Sequence, residues 1–124
     1  MNQRKTLMWG AAMGCFAVMI GAFGAHALKP MLMETSRLET YELAVRYQFY
    51  HTMAILLTGT LMNHFTSTRL HFAALLFLLG IFFFSGSLFV LSFTGIGVLG
   101  AVTPLGGLLF IAGWVMLFLG IIKK

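Results

Sequence analysis

Apolar residues fall in four long runs, roughly Leu7–Ala27, Tyr47–Met62, Leu70–Phe93 and Pro104–Ile122, and the polar positions collect between them. About 20 residues of helix cross a hydrocarbon core of ~30 Å, so three of the runs span it directly. The second run is short, and a helix continuing back into the polar stretch before it makes up the length. The pattern predicts helices over about 7–28, 37–63, 70–93 and 104–122. The expected fold is all-α, an integral membrane four-helix transmembrane bundle occupying residues 1–124 as a single domain.

Local signals refine the helices. The first is expected to stop at Lys29-Pro30, because the residue before a proline is pushed out of the helical region. Its small residues Gly10, Gly14, Ala17, Gly21 and Gly24 recur at steps of four and three. They make one face along which another helix backbone approaches closely, either within the chain or from a second copy. Ser36-Arg37-Leu38-Glu39 fits a capping box for the second helix. That helix would run from about Arg37 to Asn63, roughly 40 Å at ~1.5 Å per residue, with its first turns in the outer interface. Glu42 and Arg46 are four apart and can pair on one face, although the stretch reads first as a solvated helix entrance. In the third helix only Gly80 and Ser85-Gly86-Ser87 interrupt a run of phenylalanine and leucine. The glycine-rich stretch Thr94–Val102 must lie at the interface or fold back on protein, since irregular backbone does not face lipid. Thr103 suits an N-cap and Pro104 the first helical position. Gly106, Gly113 and Gly120 recur every seven residues, a second packing stripe. Trp9 suits an interfacial belt, and Trp114, mid-helix, is expected to pack inside.

Composition agrees with a membrane setting. The chain is 60% hydrophobic and 9% charged, with mean hydropathy +0.95, against about 25% charged residues in soluble domains. The net charge of +5 forms no basic stripe, so it points to anchors at a lipid surface and not to a nucleic acid. Arg4, Lys5, Arg69, Lys123 and Lys124 fall on one side of the expected topology, and Lys29, Arg37 and Arg46 on the other. This bias favours both termini in the cytoplasm. The first run follows Arg4 and Lys5 as a signal peptide would, but outlasts a secretory apolar region of about 7–15 residues, so it reads as a retained helix. Cys15 is the lone cysteine and cannot form an intramolecular disulfide.

Four motifs occur in order: Gly21-Ala22-Phe23-Gly24-Ala25-His26-Ala27-Leu28, Tyr47-Gln48-Phe49-Tyr50-His51, Phe84-Ser85-Gly86-Ser87-Leu88, and Thr103-Pro104-Leu105-Gly106-Gly107 followed by Gly113-Trp114. Together they resemble the small membrane-protein family known as domain of unknown function 423, which includes bacterial inner-membrane proteins and the eukaryotic transmembrane protein 256 group. The resemblance covers essentially the whole chain. It implies a compact four-helix protein of a bacterial plasma membrane and carries no established chemistry.

The candidate site is a set of polar residues that the topology places towards one end: His26, Glu42, Arg46, Gln48, His51, Ser85 and Ser87. Ionisable groups inside membrane helices are costly and usually face a bundle interior or cavity. The leading reading is structural: these groups satisfy loop carbonyls and one another. The protein would then be a non-enzymatic accessory or membrane-organising factor, as a homo-oligomer or part of a larger complex. The alternative is a lipid or small-molecule binding protein or transporter, with Arg46 and Gln48 on an anionic headgroup at the outer leaflet. A third is haem or metal ligation through His26 and His51, and no cofactor is otherwise implied. Catalysis lacks support, since the chain has no aspartate for a Ser-His-Asp arrangement. A triad drawn from Glu42, His51 and Ser87 has no nucleophile-elbow motif.

Overall fold

The computed structural model describes residues 1–122; the basic pair Lys123-Lys124, expected to close the fourth helix, lies outside the described residues. Helices α1 (Gln3–Ala25), α2 (Lys29–Glu34), α3 (Leu38–Leu61), α4 (Arg69–Gly80), α5 (Gly86–Thr94) and α6 (Thr103–Ile122) follow in order. A π-helical turn over Ile81–Ser85 joins α4 to α5, and a 3₁₀ turn over Gly97–Ala101 leads into α6. Among the described residues, three helical stretches are long and apolar enough to cross a membrane: Gln3–Ala25, Arg69–Thr94 and Gly97–Ile122. With 24 residues, α3 is about 36 Å long at ~1.5 Å per residue, but it carries Glu39, Glu42, Arg46, Gln48 and His51.

Three local expectations are corrected. Lys29-Pro30 does not terminate α1, which ends at Ala25, where the His26 and Leu28 amides donate back to Ala22 and Phe23 carbonyls. Pro30 instead opens α2, where the missing N–H costs nothing and the fixed φ suits a first turn. Ser36 does not cap α3: its φ is +58°, and α3 begins after Arg37 without a side-chain cap. Ser36 N–H donates to Met33 O at 3.1 Å and Arg37 N–H to Leu32 O at 2.8 Å. That pair of bonds around a left-handed residue is a Schellman motif, so Ser36 ends α2 and turns the chain into α3. Thr103 is the first residue of α6, not the residue before it. Its hydroxyl is turned sideways onto Ser87, 2.7 Å away.

α3 occupies the centre, with α1 against one side and α4, the π turn and α5 against the other; α6 packs on α4 and the π turn. Two antiparallel glycine seams set this arrangement. Between α1 and α3, Gly24 faces Tyr41, Gly21 faces Val45, Gly14 faces Thr52, and Gly10 faces Ile55 and Leu56. Near the far end the roles reverse, and Gly59 of α3 receives Thr6 and Leu7. Between α6 and α4 with its π turn, Gly106 meets Phe84, Gly113 meets Phe77 and Gly120 meets Leu70, so each step of seven along α6 matches seven back along its partner. Gly80 takes Phe110 in the same register. The core joins Met13, Ile55, Leu70, Phe77, Ile81, Phe110 and their neighbours. The outward faces of α1 and α6 are apolar, with Met8, Phe16, Val18, Phe23, Leu108, Ile111 and Phe118 about half exposed or more.

The two ends differ. At one, the Met1 carbonyl meets the His71 ring and Gln3 Nε2 donates to Gly59 O at 2.9 Å. At the other, the Arg37 guanidinium lies against Gly95, whose φ of +70° ends α5.

Candidate functional site

The structure divides the polar residues into two groups. His26, Glu42 and Arg46 are exposed, whereas Gln48, His51, Ser85 and Ser87 are buried. His26 caps α1 and lies with Met19, Ala22, Phe23 and Ala27 along a shallow apolar recess. Glu42 and Arg46 line a separate groove of about 230 Å³ with Gly21, Gly24, Ala25, Tyr41 and Val45. No ion pair joins Glu42 to Arg46: on an exposed face two long side chains gain little by being held together. Nor does Arg46 meet Gln48, which lines a different cleft with Met13, Phe16, Ile20, Ile81, Phe82, Ser85, Gly86 and Phe89.

His51, 5% exposed, sits in an aromatic slot at the middle of the bundle. Its ring stacks on Phe110 with centroids 3.5 Å apart and planes 9° from parallel. Phe77 and Trp114 close the slot, and Tyr47 stacks on Phe84 one turn away at 4.6 Å. Trp114 Nε1 is 3.1 Å from His51 Nε2, and His51 Nδ1 is 2.9 Å from Tyr47 O. An indole N–H only donates, so Nε2 accepts and Nδ1 carries the proton, donating to the Tyr47 carbonyl. Both ring nitrogens are therefore engaged in the neutral form. Trp114 was expected inside; it is 44% exposed, with one edge turned in to His51 and the rest on the outer face of α6.

The remaining buried groups also join helices. Gln48 Nε2 donates to Met13 O on α1 at 3.0 Å. Ser85 Oγ donates to Ala44 O on α3 at 2.7 Å. Ser87 Oγ bonds Thr103 Oγ1 and the Phe84 carbonyl. Tyr41, which the sequence pattern did not single out, donates its hydroxyl to Ile20 O on α1 at 2.5 Å. A tyrosine facing Gly24 was the available signal, since a ring laid over a glycine brings its hydroxyl to the neighbouring backbone. Thr52 Oγ1 is the one buried side-chain polar atom without a partner among the described residues. No group of three or more His, Cys, Asp or Glu side chains suited to a metal ion occurs among the described residues. His26 and His51 are not brought to one cavity: one lies on an outer face and the other in the aromatic slot.

Long apolar helices joined by buried hydrogen bonds define a helical membrane protein. Comparison with known proteins specifies it further. The family described as "Protein of unknown function (DUF423)" matches residues 20–107. The chain is 44% identical over 117 residues to a UPF0382 membrane protein of Staphylococcus haemolyticus, covering 94% of each chain. It is 36% identical over 118 residues to the UPF0382 membrane protein YwdK of Bacillus subtilis, covering 94% of this chain and 95% of that one. The chain belongs to this family of multi-pass bacterial membrane proteins. No solved structure matches it.

Proposed function

We propose that the chain is a four-helix transmembrane bundle of a bacterial plasma membrane, with both termini in the cytoplasm, acting as a non-enzymatic structural or accessory factor. In this reading α3 is the fourth span, with Gln48 and His51 buried against the neighbouring helices and its charged residues towards its first turns. The supporting observation is what the buried polar groups do. Gln48, His51, Ser85, Ser87 and Tyr41 each bond a group on another helix. Groups occupied in this way fasten helices, as polar side chains do in membranes, and none is poised for proton transfer. A cytoplasm-active reporter fused after Lys124 should be strongly active, and a periplasm-active one silent; the reverse pattern sinks the topology. His51→Ala should lower accumulation in the membrane, with any complementing activity falling in proportion. A variant that accumulates normally but loses activity would overturn the structural role.

One observation favours a second reading, an anionic lipid headgroup beside α1 and α3. Arg46 is exposed on a groove floored by Gly21 and Gly24, where a guanidinium offers paired donors to a phosphate. Retention of anionic lipid that falls with Arg46→Gln, at unchanged accumulation, would carry it.

A further inference from the structure

A cleft lies between α1 and the π turn with the start of α5. A π turn is a wide turn often found at functional positions, and here it is flanked by Gly80 and Gly86. The cleft beside it measures about 210 Å³, and most of its walls are apolar: Met13, Phe16, Ile20, Ile81, Phe82 and Phe89. An enclosed apolar cavity of about 150 Å³ is enough to take up benzene, so this cleft has room for part of a hydrocarbon chain. A Cβ built on Gly86 meets nothing within 4 Å, so that wall stands open.

One wall residue is polar and incompletely used. Gln48 is 3% exposed and spends one amide hydrogen on Met13 O. No described residue donates to its Oε1, and since Thr52 Oγ1 is the one fully sealed atom without a partner among the described residues, Oε1 keeps a small accessible surface where Gln48 lines the cleft. Ser85, the other polar side chain there, is committed to Ala44 O. An unmatched amide in apolar surroundings is costly unless something bonds it. The cleft is walled by no charged side chain, so it suits an uncharged group that travels with a hydrocarbon chain.

We propose that this cleft binds one neutral hydrocarbon chain bearing a hydroxyl, the hydroxyl donating to Gln48 Oε1 and the chain lying between Phe16, Ile20, Phe82 and Phe89. This rests on the four-helix membrane reading, since only then do lipids reach the cleft. Linear and isoprenoid alcohols share the chemistry.

The test uses the full chain in phosphatidylcholine nanodiscs, titrated separately with dodecan-1-ol, farnesol and dodecane, with bound molecules counted by native mass spectrometry. At least one of the two alcohols should saturate at one per chain and bind about tenfold more tightly than dodecane, the worth of one neutral hydrogen bond. Tighter binding of dodecan-1-ol assigns a linear ligand, and of farnesol an isoprenoid one. Gly86→Leu, which fills the cleft from its open wall, should abolish stoichiometric binding while the ligand-free unfolding temperature holds. Gln48→Met should erase the preference for alcohol over alkane. Equal binding of alcohol and alkane, or unchanged binding by a folded Gly86→Leu protein, overturns the proposal. The reporter fusion at Lys124 reads topology independently: a correct topology with no alcohol bound refutes the cleft alone.

Discussion

Along the seam between α1 and α3 each glycine receives a side chain from the opposite helix, and the same holds between α4 and α6, but the partners differ. On α3 they include Val45, Thr52 and Leu56, side chains able to shift, and three hydrogen bonds cross to backbone carbonyls: Tyr41 to Ile20, Gln48 to Met13 and Gln3 to Gly59. Between α4 and α6 the partners are Phe77, Phe84, Phe110 and Leu70. The polar ties of α6 reach past α4, to His51 on α3 and Ser87 on α5. Lipid tails are as apolar as the helices, so association rests on close packing and hydrogen bonds. One seam shares the load between both, while the other depends on shape alone. A seam held by shape should be the less forgiving of added volume.

That difference can be broken first at Gly106, where an added Cβ would overlap the Phe84 backbone. The Phe84 backbone lies in the π turn between α4 and α5 and, unlike a side-chain tip, cannot rotate aside, so Gly106→Ala should cost about 3 kcal/mol, the upper end for overpacking. Gly14→Ala on the other seam meets only Thr52 Cγ2 at 3.4 Å, and should change stability by less than about 1 kcal/mol. Reversible unfolding in mixed micelles measures both, and equal costs would erase the distinction. Next in size is Tyr41→Phe, which keeps the ring over Gly24 and removes the bond to Ile20. Its expected cost is about 1 kcal/mol, within the ~0.6–1.7 kcal/mol of interhelical hydrogen bonds in membranes. No loss at all would mean that the α1 seam is also held by shape. Trp114→Phe should cost about 0.6 kcal/mol, because His51 keeps its bond to Tyr47 and its stack on Phe110. Gly86→Ala should have the opposite sign, since open space there leaves mainly the gain in helix propensity, about 0.5–1 kcal/mol of stabilisation. A loss there would mean that the π turn itself requires glycine.

Much of this organisation could be read in the chain. Three of the four apolar runs correspond to long apolar helical stretches, because burial in lipid demands unbroken hydrophobic length. The heptad Gly106, Gly113 and Gly120 marks a single face of α6, since residues seven apart lie nearly above one another on a helix. The π turn was less visible, although Gly80 and Ser85-Gly86 bracket it; the bulky Phe82-Phe83-Phe84 between them reads as ordinary helix. α2 escaped notice because Lys29-Pro30 reads equally well as a stop and as a start. Ser36 was misplaced for a similar reason: a serine three residues before a glutamate fits a cap whether or not the chain is already in a left-handed turn.

The polar residues illustrate the limit most clearly. Their positions along the helices put His26, Arg46, Gln48 and His51 towards one end, and in the folded chain Arg46 opens on one groove, Gln48 on another cleft and His51 on neither. Periodicity assigns a residue to a face of its own helix. It says nothing about how the next helix is rotated or tilted, nor about which neighbour lies opposite. Helical class, membrane setting and the glycine faces follow from local composition and spacing, because solvation by lipid and steric size act on each segment separately. The pairing of α1 with α3 and of α6 with α4, the Trp114–His51 bond and the cleft at the π turn arise only when all the helices pack, because each depends on surfaces far apart in the chain meeting at one depth.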